Sequence, residues 1–128
     1  MGVICVRRDR VYGLDHFSFE QMKLSEKQQI FTLNVARLIM WANEQGYRLT
    51  FGEAFRPQIT ADYYAAHGIG IKNSQHCKRL AVDFNLFVDG QYQRSGDGYT
   101  RLGIAWEALH EDNRAGYHFG DGNHMEMR

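Results

Sequence analysis

The chain is 128 residues long, enough for one domain with a real hydrophobic core and too short for two comfortable ones. Lysine plus arginine and aspartate plus glutamate number 15 each, so the formal charge is zero and no bulk field draws the protein onto nucleic acid or anionic lipid. A 44% hydrophobic share beside 23% charged residues excludes a disordered chain, and no apolar run is long enough to cross a bilayer.

The N-terminus reaches Arg7 and Arg8 after the short apolar run Val3 to Val6, and so has no hydrophobic stretch of the kind that directs secretion. The expectation is a cytoplasmic product in which Cys5 and Cys77 stay reduced. Arg7 to Lys23 has no sustained period and is expected to be an irregular arm, with residues 1–24 outside a single core domain over 25–128. Ser25 and Gln28 have the spacing of a capping box, predicting a helix start. Apolar positions from Ile30 to Ala42 then recur close to every 3.6 residues, until Gly46 ends the run.

Tyr47, Leu49 and Phe51 alternate with polar residues, as a half-buried strand does, and lead into Glu53-Ala54-Phe55-Arg56-Pro57, where the proline stops regular pairing. Ile59 to His67 predicts a short helix closed by Gly68. Arg79 to Val88 predicts a second strand, with Leu80, Val82, Phe84 and Leu86 on one face and Ala81, Asp83, Asn85 and Phe87 on the other. Asp89-Gly90 is a hairpin signal, with Gln91 to Arg94 returning. Leu102 to Leu109 predicts a short helix, Asp112 to Gly116 a loop, and Tyr117 to Met127 a segment ending in a strand that presents His124. This order predicts an α+β fold, a small and mostly antiparallel sheet with helices packed on it.

Of six histidines, His76 and His124 stand in contexts of nearby acids, small residues and strand edges. An aspartate inside an otherwise apolar strand is costly unless it meets a cation or hydrogen-bond donors, so Asp83 joins them. Two imidazoles and one carboxylate make a ligand set for zinc with a fourth position open, the count of a catalytic site. Asp121, three residues before His124, is a second acid able to handle protons. His118 competes as a third ligand on spacing alone, and Asp83 paired with an arginine or lysine is the bland alternative. Cys77 adjoins His76, but neighbours in an extended segment point to opposite faces, which favours a passive thiol. Glu53 and Arg56 make either a structural ion pair or a guanidinium placed to grip an oxyanion or a carboxylate. Asn123-His124 resembles a nuclease metal motif, which neutral charge and the lack of a basic tract disfavour.

Ser74-x-His76, Asp83 after six intervening residues, and Asp121-x-x-His124 resemble the motifs of the zinc D-Ala-D-Ala carboxypeptidase and L-alanyl-D-glutamate peptidase family, which cleaves peptidoglycan stem peptides and includes bacteriophage endolysins. The Arg56 segment matches the family's arginine, and the resemblance spans roughly residues 30–126 in order. It implies one Zn2+ held by His76, Asp83 and His124, with Asp121 as acid-base and Arg56 stabilising the oxyanion. Ser74, with Glu53, would support the substrate or the first ligand. It further implies an endopeptidase or a D,D-carboxypeptidase acting as a monomer on peptidoglycan peptides, with no nucleic-acid or membrane partner. A phage-encoded version would reach the wall through a helper pore. The chain departs from the family in carrying Arg79 where a glycine follows the first histidine by three residues, and in having Ala115-Gly116-Tyr117 near the place of a tryptophan-glycine-glycine. The competing expectation is a non-catalytic zinc-stabilised module, wall-binding or part of a phage particle, which would keep the ligands but need no acid.

Overall fold

A computed structural model describes residues 22–128. The expected N-terminal arm and Cys5 lie outside the described residues. In chain order the elements are α1 (Leu24–Glu44), β1 (Tyr47–Phe51), α2 (Gln58–Ala66), a 3-10 turn (Gln75–Lys78) and β2 (Ala81–Val88). After these come β3 (Gln91–Gln93), α3 (Asp97–Leu109), β4 (Asn113–Ala115), a second 3-10 turn (Gly116–Phe119) and β5 (His124–Met127).

The fold is the expected α+β domain, and β2 is its axis. It pairs antiparallel with β1 over 84–88, with β3 over 86–88 and with β5 over 81–83, and β4 closes on β5. Alternation along β2, with Leu80 just before it, sends Leu80, Val82, Phe84 and Leu86 into the core. They meet Ile30, Phe31 and Leu38 of α1 and Leu102 and Trp106 of α3 in one cluster. Phe31 and Trp106 pack edge to face at 5.5 Å, and the Trp106 indole N–H donates to the Glu126 carbonyl, tying α3 to β5. Among the described residues no helix is long and apolar enough to cross a membrane.

Three local expectations are corrected. Helix α1 starts at Leu24 with Lys23 at the N-cap, and the carboxylate that reaches back to the cap amide is Glu26 rather than the Gln28 side chain. Ser25 therefore lies inside the first turn, while Gln28 donates to the Lys78 carbonyl. Helix α3 begins five residues before Leu102, at Asp97, because Gly98 and Gly103 let it lie close to Leu86 and to Ala115 and Tyr117. Residues 113–115, expected in a loop, form β4, an edge strand too short to show a period. The Asp89-Gly90 hairpin is as expected, both residues taking the positive φ that a two-residue turn of this hand demands.

Candidate metal centre

Strand pairing sets Asp83 directly opposite His124. The backbone of Asp83 is fixed from its other side: its amide donates to the Glu53 carbonyl at 2.8 Å, and its carbonyl accepts from Gly52 at 2.7 Å. A side chain at position 52 would press on Asp83, since an added Cβ would come within 3.1 Å of the Asp83 Cβ.

His76 arrives from the 3-10 turn. Ser74 caps that turn, its hydroxyl accepting from the His76 amide at 3.1 Å, so Ser74 supports the histidine through its backbone. The His76 Nδ1 bonds the Ala54 carbonyl at 2.9 Å, which turns Nε2 towards Asp83 Oδ1 at 3.3 Å. His124 is held the other way round. Its Nε2–H donates to Glu126 at 2.7 Å and Nδ1 faces Asp83 Oδ1 at 3.1 Å.

His76, Asp83 and His124 thus bring one ligand atom each to within 4.8 Å of one another. A tetrahedral zinc site with arms of about 2.0 to 2.1 Å has donor-donor edges of about 3.3 to 3.4 Å, which the two separations from Asp83 approach. Charge fits as well. Burial pulls the His124 imidazole down, but hydrogen bonds to Asp83 and Glu126 outweigh it and hold the ring up at about 9. Burial likewise pushes Asp83 up, and its bonds to His124 and His76 outweigh that and bring it to about 2. The pocket draws positive charge to the place where the three donors converge, and this group can hold a metal ion.

Arg56 and Asp121 line the same cavity of about 690 Å³. The Arg56 amide donates to the His76 carbonyl at 3.1 Å, and its guanidinium is held by Glu53, with Nε at 2.8 Å. Its hydrogen bond to Glu53 raises its pKa further, so it stays a fixed cation. The ion pair is formed, with Glu53 orienting the guanidinium, and the guanidinium also borders the cavity. Asp121 is 57% exposed on the turn before β5, with Oδ2 4.0 Å from His124 Nδ1. Its turn is packed so closely that a Cβ at Gly116 would fall 1.9 Å from the Asp121 carbonyl oxygen, which explains why a glycine stands there.

His118 is carried away from the centre and bonds Glu107 at 2.9 Å, outside the group formed by His76, Asp83 and His124. Cys77 is a free thiol outside the ligand group, on a 3-10 turn rather than an extended segment. Arg79 takes the left-handed conformation, φ 57°, that a glycine adopts without strain. The cost, about 1 kcal/mol, is offset by stacking of its guanidinium 3.9 Å over the Phe55 ring. Glu126 was missed in the sequence. The available signal was its place two residues after His124, which on a strand means the same face.

No protein-family model matches the chain, and no curated protein matches it by sequence. Among solved structures, the crystal structure of the Serratia marcescens L-Ala D-Glu endopeptidase ChiX is similar, with a TM-score of 0.61 at 18% sequence identity over 74% of this chain and 78% of that one. At that identity the likeness is one of fold.

Proposed function

We propose that the protein is a zinc-dependent peptidase that hydrolyses a bond within peptidoglycan stem peptides. The observation that carries this is the convergence of the His76, Asp83, His124 group with Arg56 and Asp121 on one open cavity. A metal-binding module without catalysis would need neither of the last two. The fold shared with an L-Ala D-Glu endopeptidase supports the substrate class and makes the L-Ala to D-Glu bond the first to test.

When bound, a zinc ion supplies Lewis acidity, lowering the pKa of water to about 7 and drawing electron density from a carbonyl oxygen. The protein supplies the rest. Asp121, exposed at the cavity edge, accepts the proton of the attacking water and returns it to the leaving amine. Arg56 donates to the scissile carbonyl oxygen as negative charge grows there, and Glu53 keeps the guanidinium from swinging away. Ala54 and Glu126 hold the rings of His76 and His124, so that the other nitrogen of each ring faces inward, free to bind a metal once deprotonated.

The test is Asp121→Ala on zinc-loaded protein incubated with peptidoglycan. Zinc content should persist, while release of new amino termini falls by about 10²- to 10⁴-fold. Cleavage at the wild-type rate would sink the role of Asp121. Absence of any new termini from the wild type would sink the peptidase assignment, and mass spectrometry of the released muropeptides identifies the bond.

A further inference from the structure

A second cavity, of about 410 Å³, is bordered by the Gly120 to Asn123 turn together with Tyr92, Arg94, Ser95 and Tyr99. Asp121 borders both cavities, so the two adjoin at the turn that carries it. The volume falls within the roughly 300 to 1,000 Å³ of ligand pockets. Its floor is rigid: the Tyr99 hydroxyl accepts from the Leu86 amide at 3.0 Å and donates to the Gln93 carbonyl at 2.7 Å, locking the β2–β3 hairpin to α3.

The polar groups around that floor are otherwise uncommitted. Among the described residues the side chains of Arg94, Ser95 and Asn123 make no hydrogen bond or ion pair with the protein. Arg56 and Arg128, which border the first cavity, are instead engaged by Glu53 and Glu126. Arg94 is therefore a cation without a protein counter-ion, set beside a hydroxyl and an amide in a cavity that adjoins the acid at the proposed scissile position.

We propose that this second cavity is the continuation of the substrate groove and binds a carboxylate of the peptide, with Arg94 as its counter-ion. The assignment rests on the peptidase function proposed above and sharpens it. A chain whose scissile bond lies at Asp121 would occupy the metal cavity on one side of that bond and the Arg94 cavity on the other. A groove that continues past the scissile position in this way suits an endopeptidase rather than a carboxypeptidase.

The experiment compares stem peptides in which each carboxylate flanking the scissile bond is replaced in turn by its carboxamide. Wild-type zinc-loaded protein should favour one carboxylate form by about tenfold in kcat/KM, the scale of one charge-assisted hydrogen bond, with the difference carried in KM. Arg94→Gln should collapse that ratio towards one, and Arg94→Lys should restore part of it. Arg94 is exposed, so neither variant disturbs the core. A ratio unchanged in Arg94→Gln overturns this assignment while leaving the peptidase intact. A wild type that cleaves none of the peptides overturns both.

Discussion

At the scale of single residues, the site is a competition between a proton and a cation. With its imidazole held up at about 9, His124 carries a proton on Nδ1 at neutral pH, shared with Asp83. A metal must displace that proton. The sign follows: below pH 9 the proton competes, so zinc binding at pH 7 releases about one proton from His124, and apparent affinity rises by up to about tenfold per pH unit until it levels near 9. Calorimetry in buffers of different ionisation enthalpy measures the proton, and indicator competition across pH measures the slope. Glu126 sets the effect from the far side of the ring, where its carboxylate, also bonded to Arg128 at 2.6 Å, accepts the Nε2 proton. Glu126→Gln keeps the shape and removes the charge. It should weaken zinc binding by about 10- to 100-fold, read by chelator competition, with an unchanged circular dichroism spectrum.

At the scale of elements, β2 does the organising. Its inward face builds the core and its outward face carries Asp83, so one strand supplies both stability and a ligand. A slip of one residue in its register would exchange those faces, which strongly specifies the pairing that sets Asp83 opposite His124. Helix α1 contains a weakness of the opposite kind. Asn34 is fully buried on the core face with neither amide atom hydrogen-bonded. Unmet polar groups of this kind cost about 1 to 3 kcal/mol, so Asn34→Leu should stabilise the fold by about 1 to 2 kcal/mol. The measurement is a urea unfolding midpoint that rises with no change in slope. An unchanged or lower midpoint would mean that Asn34 has a packing role leucine cannot fill.

At the scale of the whole molecule, the candidate metal centre joins segments distant in sequence: the turn after α2, the start of β2 and the start of β5. An ion there would crosslink the folded chain and have no preformed site in the unfolded one. Chelation should therefore lower the melting temperature by on the order of 10 °C, and zinc should restore it. His76→Ala should melt at the same temperature with or without chelator. Differential scanning fluorimetry of the four samples decides this, and a wild type indifferent to chelator would argue against a folded-state metal site.

Much of this was legible in the chain. The period of α1 and the alternation of β1 and β2 follow from where apolar side chains must go, and an acid in a buried strand advertises that something must neutralise it. The positive φ of Asp89 and Gly90 was written in their residue types. What the chain determined by itself was therefore the elements, the face on which Asp83 stands, and a short set of candidate ligands.

Only the tertiary structure decided which of those candidates lie together. His118 and His124 are equivalent on spacing, and they part because Glu107 on α3 takes one while the pairing of β5 with β2 sets the other against Asp83. Strand β4 and the true start of α3 depend on close approach to neighbours that local sequence does not name. Arg79 departs from the glycine expected there, and it is tolerated because the Phe55 ring lies beneath its guanidinium. Local patterning fixes which way a side chain points on its own element. Which groups then meet across 41 residues of sequence is decided by strand register and packing, since these set the separations on which coordination and proton transfer depend.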